Sequence, residues 1–193
     1  WSIDVLGFDQ LFFSWLALIG SVLSLIGMYV LRARMAKHSI IVLTLWLTLA
    51  GAVLSIPQLA MSYGFHQWAS EQTNGLINAR FIAIIDTALE SPLGQIAMIP
   101  LLTWIAQSAP KELKATYFAV MTSFANLALS ASQLLTKYLN QIFTINRETK
   151  DALGQTLASA DYSELSALLT SVMILGLLIP IAGIAIVKMF RLK

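Results

Sequence analysis

Four long stretches without any charged residue dominate this sequence. They cover residues 11–31, 40–63, 115–136 and 165–187. A hydrocarbon core about 30 Å thick is crossed by about 20 mostly apolar residues in an α-helix, so each stretch is long enough to span a membrane. The pattern therefore predicts an all-α polytopic membrane protein.

The composition excludes several other classes of protein. Hydrophobic residues make up 58% of the 193 residues and charged residues only 11%, whereas a soluble domain is typically about a quarter charged. The absence of cysteine excludes a disulfide scaffold. No basic run with interleaved aromatic residues accompanies the net charge of +2, so we expect no nucleic-acid partner.

A fifth span is expected around residues 81–108, although Asp86, Glu90, Pro92 and Pro100 interrupt it. Two carboxyl groups are costly against lipid, but a helix shielded by its neighbours tolerates both the carboxyls and the kinks. We therefore predict a single transmembrane domain, residues 1–193, with five helices at about 11–31, 40–63, 79–108, 113–140 and 164–188. The polar connection at 140–162 leaves room for a short surface helix.

Most basic residues lie in the connections on one side of these five spans. Because cytoplasmic loops are enriched in Lys and Arg, that side is predicted to be cytoplasmic, which places the N-terminus outside and the C-terminus inside. The chain starts with Trp1 rather than Met, and we expect it to be a fragment of a longer protein. The basic residues on the cytoplasmic side are Arg32, Arg34, Lys37, Lys111, Lys114, Lys188, Arg191 and Lys193.

The fourth span carries a polar stripe, because residues three and four apart on a helix share a face. For its serines we favour helix packing, in which small residues let helices approach. For its larger side chains we favour a water-filled cavity. The stripe consists of Ser123, Asn126, Ser130, Gln133, Lys137 and Asn140.

Two other spans carry weaker patterns at the same spacing. The first has a ridge of small residues, which we interpret as a packing surface. The second has hydroxyl and amide side chains near one face. The ridge is Ala17, Gly20, Ser24 and Gly27, and the second set is Thr44, Thr48, Ser55, Gln58 and Ser62.

The third span contains the strongest candidates for a functional site. Asp86 and Glu90 lie one turn apart with Ser91 beside them, and ten residues at 1.5 Å place Glu90 about 15 Å below Arg80, near mid-membrane. A carboxyl at that depth is suited to proton binding and release. The alternative is an internal ion pair with Lys137.

Three further residues complete the predicted substrate or proton pathway with less weight. Arg80 and Lys137 lie near the outer boundary, where extension toward the headgroups is favoured over substrate binding. Gln95 lies one turn beyond Ser91 on the third span.

Enzyme signatures are missing from the sequence. His38 and His66 are isolated, and there is no HExxH, Cys pair, GxSxG or phosphate-binding glycine loop. We therefore predict no catalytic residues, no metal site, no cofactor and no enzymatic activity.

Two segments carry a family resemblance. Residues 94–140, GQIAMIPLLTWIAQSAPKELKATYFAVMTSFANLALSASQLLTKYLN, combine a Gly-Gln at a helix entrance, a mid-helix proline, Pro-x-x-x-Lys-Ala-Thr-x-Phe-Ala and Ser-x-x-Asn. Upstream, LGFDQLFFSWLALIGSVLSLIG is followed by the basic YVLRARMAKHS. These segments resemble the folate–biopterin transporters, a branch of the major facilitator superfamily. By that resemblance the chain supplies helices eight to twelve of twelve, the C-terminal part of a major-facilitator-type bundle.

The resemblance implies a secondary active transporter of a small organic solute, such as a folate or pterin, coupled to protons and working by alternating access. Its expected partners are the lipid bilayer, the solute, protons and the N-terminal helices of the same full-length protein. We expect it in the inner membrane of a bacterium. It further implies that the first, third and fourth spans line the central cavity. The alternatives are a muropeptide or other major facilitator permease, or a non-transporting membrane scaffold subunit.

Overall fold

The structure is a computed structural model that describes residues 1–35, 38–97, 102, 105–150 and 156–189. Its regular elements are mostly helices, with one small antiparallel ribbon of two strands. Residues 105–108 are also helical. The helices are α1 (Gln10–Met35), α2 (Ile40–Leu54), α3 (Ile56–Ser62), α4 (Phe65–Gln72), α5 (Ala79–Ile96), α6 (Lys114–Ile142) and α7 (Leu165–Met189), and the strands are β1 (Thr149–Lys150) and β2 (Thr156–Ala158).

Four helical segments of the described chain are long and apolar enough to cross a membrane. They are Gln10–Leu31, Ile40–Ser62, Lys114–Ile142 and Leu165–Met189. They coincide with four of the five predicted spans and confirm the all-α polytopic fold class. The remaining predicted span, 79–108, contains α5 and residues 105–108, but residues 98–101 and 103–104 lie outside the described part. A fifth membrane crossing therefore stays a prediction.

The second span is two helices rather than the single helix we predicted. Helix α2 ends at Leu54 and α3 begins at Ile56, with Ser55 between them. Pro57 has no backbone N–H and cannot continue the hydrogen bonding of α2, but it is accepted in the first turn of α3, where no donor is needed. The same proline therefore ends one helix and starts the next.

Helix α1 packs along α5, which is the most extensive contact between described elements. A Cβ atom on Gly20 would lie 2.7 Å from the Ser91 Oγ, and one on Gly27 would lie 2.4 Å from the Pro92 Cβ. The Ser24 hydroxyl donates a hydrogen bond of 2.9 Å to the Ser91 carbonyl oxygen. Gly20, Ser24 and Gly27 of the predicted small-residue ridge are therefore confirmed as a packing surface, whereas Ala17 is exposed.

The polar face of the second span lies toward α7. The Ser166 hydroxyl donates to the Ser62 carbonyl oxygen at 3.0 Å, and the Tyr63 and Thr170 hydroxyls are 3.4 Å apart. A groove of about 280 Å³ between α2, α3 and α7 is lined in part by Thr48, Ser55 and Gln58. The Thr44, Ser55 and Ser62 hydroxyls donate to carbonyl oxygens of their own span, so the hydrogen-bond contacts with α7 use the Ser62 carbonyl oxygen and the Tyr63 hydroxyl.

The N-terminal ends of α1 and α5 are held together by charged and aromatic groups. The Asp9 carboxylate caps α1 by accepting from the Phe12 N–H at 2.7 Å. Arg80 Nη2 lies 3.6 Å from Asp9 Oδ2, and its guanidinium lies 5.3 Å from the centre of the Phe12 ring. Phe8, Phe12 and Ala83 form the buried cluster beneath them.

The connection between α6 and α7 folds as a β ribbon, so the short surface helix for which we left room there is wrong for its described residues. Asn146 and Asp161 exchange two backbone hydrogen bonds of 2.9 Å, and β1 pairs with β2 beyond them. The pairing satisfies backbone groups of a polar, extended segment without needing an apolar face.

The ribbon is joined to the N-terminal segment by Asp4. Its carboxylate accepts a hydrogen bond from the Tyr162 hydroxyl and lies 3.8 Å from the Arg147 Nε. The hydrogen bond from Tyr162 and the positive charge of Arg147 lower the pKa of Asp4 below its ordinary value of 3.8. The same hydrogen bond raises the pKa of Tyr162 above its ordinary value of 10.0.

These two shifts predict a pH window for the contact between the ribbon and the N-terminal segment. A lowered carboxyl pKa stabilises the contact above pH 3.8, and that contribution is lost as the pH falls through the pKa of Asp4. A raised phenol pKa stabilises it below pH 10.0, and that contribution is lost as the pH rises through the pKa of Tyr162. Spin labels at the exposed positions Ile3 and Leu157 should report one short distance inside the window and a broader distribution outside it.

The Asp4→Asn variant is the control for this experiment. It keeps the side-chain shape but cannot titrate, so the acid transition between the labels should disappear. An unchanged acid transition in Asp4→Asn would show that another group controls the contact.

Candidate functional site

An open groove of about 830 Å³ runs between α1 and α5. Its wall on α1 is made mainly of small and apolar residues, and its wall on α5 is mostly polar. Glu90 supplies the only carboxylate among its described lining residues. The polar lining consists of Ser21, Ser24, Thr87, Glu90 and Ser91.

The local sequence explains why these side chains meet. Thr87 and Ser91 are four residues apart on α5, and both lie against Gly20, where the missing side chain lets the two helices approach. Glu90 is adjacent to Ser91 in sequence and lies at the border of this contact, exposed in the groove. Gly94, one turn further, leaves the groove open beyond Glu90.

Two of the four hydroxyl groups that line the groove donate their protons to backbone carbonyl oxygens. The Ser21 hydroxyl donates to the Ala17 carbonyl oxygen at 2.7 Å, and the Ser24 hydroxyl donates to that of Ser91. Their hydroxyl protons are thus engaged, and their oxygens remain available as acceptors beside the acceptor-only carboxylate of an ionised Glu90. Such a lining suits a solute that carries N–H donors, or a proton on Glu90 itself.

Asp86 lies one turn from Glu90, in the direction of Arg80, and is half-buried. Its Oδ1 atom is shielded from solvent and has no hydrogen-bond partner among the described residues. Asp86 is absent from the described lining of the groove. Of the two predicted carboxyls, Glu90 therefore lies in the groove, whereas Asp86 is partly covered by its neighbours.

Arg80 lies at the far end of α5 from Glu90. Besides its contacts with Asp9 and Phe12, its Nη2 atom lies 3.4 Å from the Gly7 carbonyl oxygen. The guanidinium therefore joins the N-terminal segment to α5 and is not among the groove residues.

The predicted residues of the fourth span lie on α6, away from the groove. No residue of α6 is buried, and the helix makes at most slight contact with the other named elements of the described chain. The Ser123 and Ser130 hydroxyls donate to carbonyl oxygens one turn back, at 2.9 and 3.1 Å. Asn126, Gln133 and Lys137 are not buried in this helix either.

The structure thus brings together only part of the predicted pathway. Glu90 and Ser91 share the groove, whereas Arg80 and the stripe of α6 lie elsewhere. Within the described chain no ion pair joins Lys137 to Glu90 or Asp86, so the alternative interpretation of the carboxyls is not seen there. The side chain of Gln95 lies outside the described part.

The resemblance implied that the first span lines a cavity, but sequence reasoning assigned no residue of that span to the site. Ser21 and Ala17 line the groove, and Gly20 and Ser24 belong both to the lining and to the packing ridge. Ser21 could have indicated these residues, because it is adjacent to Gly20 in the sequence. A hydroxyl next to a small-residue contact places a hydrogen-bond acceptor at the edge of that contact.

Comparison with known proteins bears on what this membrane protein does. Residues 2–191 match the model of the BT1 family, the folate–biopterin transporters related to the major facilitator superfamily. Comparisons with curated proteins and with solved structures give no match. The family match covers nearly the whole chain and agrees with its four apolar spanning helices. The chain is therefore a multi-pass integral membrane protein of the folate–biopterin transporter family.

Proposed function

We propose that this protein moves a folate or pterin across the inner membrane of a bacterium by alternating access coupled to protons. The observation that carries the proposal is the carboxylate of Glu90 in the groove between α1 and α5. The family match supports membrane transport, and the groove supports the finer statement about solute and proton.

The chemistry of the groove fits a pterin ring. The pyrimidine edge of a pterin carries an amino group beside a ring N–H, two parallel donors that match the two oxygens of a carboxylate. Glu90 would accept both, and the hydroxyl oxygen of Ser21 would accept the remaining proton of the amino group. The apolar residues Leu16, Leu25 and Met28 would cover its faces.

The same carboxylate supports proton coupling. A charged carboxylate near the middle of a bilayer is tolerated when it is hydrated, paired or bound by solute, and it is otherwise neutralised by a proton. Opening the groove to one side and then the other would change the hydration of Glu90. Loss of the solute and uptake of a proton would then be linked at one group.

The exposed polar face of α6 supports the remaining part of the proposal. Amide, hydroxyl and ammonium groups of a spanning helix are costly against lipid, so this face needs a polar surrounding. We infer that the N-terminal helices of the same full-length protein lie opposite α6 and that the stripe borders the central cavity with them.

Uptake by the full-length protein in proteoliposomes tests this function. Labelled pterin or folate should accumulate when the proton gradient is imposed and should only equilibrate when it is collapsed. Accumulation of a labelled muropeptide instead would assign the protein to another class of permease. If none of the three is transported, the non-transporting scaffold is the better account.

The proposed orientation has its own test, which is simplified by the absence of cysteine from the sequence. A single cysteine at Thr149, in the ribbon, should react with an impermeant thiol reagent added to intact cells. A cysteine at Lys111, in the connection before α6, should react only after the membrane is opened, because basic connections face the cytoplasm. The reverse pattern would invert the topology.

A further inference from the structure

The N-terminal segment, residues 1–9, is fixed to the two helices that form the groove. Phe8 is only 5% exposed and packs in the apolar cluster between α1 and α5. Arg80 of α5 contacts the segment twice, because its Nη2 atom lies 3.4 Å from the Gly7 carbonyl oxygen and 3.6 Å from Asp9 Oδ2. The segment is therefore a rigid extension of the pair α1 and α5.

The ribbon between α6 and α7 is attached to this segment through both of its arms. Asn146 and Asp161 join the arms by two backbone hydrogen bonds of 2.9 Å. Arg147 and Tyr162 each follow one residue of this bridge, and both contact Asp4. The Tyr162 hydroxyl donates to the Asp4 carboxylate, and Arg147 Nε lies 3.8 Å from Asp4 Oδ2. One carboxylate therefore holds both arms of the ribbon.

Helix α6 depends on this attachment more than the other long helices do. It has no buried residue and makes at most slight contact with the other named elements of the described chain. Helix α7, at the other end of the ribbon, packs against α2 and α3. The bridge at Asn146 comes four residues after α6 ends at Ile142, so the contact at Asp4 attaches this end of α6 to the pair α1 and α5.

The contact at Asp4 is of a kind that can open and close. The side chain of Arg147 is 70% exposed and that of Asp4 is 20% exposed, so both charges return to water at little cost when they separate. A hydrogen bond and an exposed ion pair bias an equilibrium between two arrangements without fixing it.

We propose that Asp4, Tyr162 and Arg147 form a latch that holds the ribbon end of α6 against the N-terminal segment in one state and releases it in another. Release lets α6 move away from α1, which opens the groove toward the side of the membrane on which the ribbon lies. The latch rests on the proposed alternating access, but it does not depend on which solute is carried.

Tyr162→Phe in the full-length protein tests the latch with two measurements that need no solute. Spin labels at Ile3 and Leu157 report whether the ribbon leaves the N-terminal segment. A single cysteine at Ala17, at the end of the groove nearest that segment, reports access to an impermeant thiol reagent added on the ribbon side. Loss of one hydrogen bond should shift the equilibrium about two- to tenfold, so the distances should broaden and the reaction should accelerate by up to that factor.

Tyr138→Phe is the matched control. Tyr138 is 58% exposed on α6 and is not part of the latch, so its loss should change neither measurement. An unchanged distance distribution in Tyr162→Phe would overturn the proposal, because the hydrogen bond would not hold the ribbon. A broadened distribution with an unchanged reaction rate at Ala17→Cys would also overturn it, because the ribbon would not control the groove.

A charge exchange tests the ion pair directly. Asp4→Arg places two cations together and should open the latch, and adding Arg147→Asp should restore both measurements toward the parent. A double variant that stays as open as Asp4→Arg, with unchanged circular dichroism, would remove Arg147 from the latch.

The latch and the proposed function can fail separately. If the latch variants respond as expected but neither pterin nor folate accumulates, the latch stands and the proposed solute is wrong. If pterin or folate accumulates but Tyr162→Phe leaves both measurements at the parent values, transport stands and the latch is wrong.

Discussion

Glu90→Gln in the full-length protein is expected to abolish accumulation of solute against its gradient and to weaken, without abolishing, exchange of solute down its gradient, because the amide oxygen still accepts one of the two donors whereas the amide NH2 group opposes the other. Glutamine keeps the length and shape of the side chain and resembles the protonated acid, but it cannot release a proton. A transporter coupled to one proton sustains about tenfold accumulation for each pH unit imposed, since both correspond to about 1.4 kcal/mol. The variant should lose this accumulation whatever the pH difference.

Glu71→Gln is the matched control for this prediction. Glu71 is an exposed carboxylate on α4, outside the groove, and its loss should leave accumulation at the parent level. Accumulation by Glu90→Gln equal to that of the parent would contradict the coupling role. A variant that neither accumulates nor exchanges solute, yet retains its helix content, would limit Glu90 to solute binding.

Gly27→Ala is expected to destabilise the contact between α1 and α5 more than the same change at Gly20. The Cβ added at Gly27 would lie 2.4 Å from the Pro92 Cβ and 3.2 Å from its Cα. Neither atom can rotate away, because the proline ring is fixed to the backbone. Overpacking of this kind costs about 1–3 kcal/mol, which exceeds the gain of about 1 kcal/mol from replacing glycine in a helix.

Two other glycines make this prediction a graded series. At Gly20 the added Cβ would meet the Ser91 Oγ at 2.7 Å, and that hydroxyl can rotate, so we expect a smaller loss. At Gly51 nothing lies within 4 Å, so alanine should be neutral or stabilising. Thermal unfolding of the purified variants in detergent should order them Gly27, Gly20 and Gly51, from most to least destabilised. A loss at Gly51 equal to that at Gly27 would contradict the packing.

The spanning helices are predictable from the sequence because their length and apolar character are properties of single segments. The break at Ser55 is harder to predict. Pro57 indicates a disturbance of the helix, but whether a proline bends a helix or divides it depends on how the following turn is held. Here the following turn is short and packs against α4, α5 and α7, which a single segment does not reveal.

Only the α5 side of the groove, which carries Glu90, can be predicted from a single segment of the sequence. Glu90 can be identified because a carboxyl in an apolar span is costly, which is a signal within one helix. The contribution of α1 is a property of the pair, since Gly20 and Ser24 make the contact and Ser21 lies at its edge. Their spacing predicts close packing but not the space left beside it.

The stripe on α6 illustrates the same limit. A polar period of three and four identifies a face turned away from lipid, but it does not identify what lies opposite. Ser123 and Ser130 satisfy their hydroxyls within their own helix, so nothing in their residue type selects a partner. The position of α6 relative to the groove could not be derived from its sequence.

The most direct test of the central claim, that the groove between α1 and α5 binds the transported solute, is protection of a single cysteine at Ser21. Its thiol would lie in the groove, and bound pterin or folate should slow its reaction with a small maleimide in a saturable way. A cysteine at Leu157, which is 71% exposed on the ribbon, should react at the same rate with or without solute. Protection of Ser21→Cys alone is the result this account predicts, and no protection by a solute that the protein demonstrably transports would contradict it.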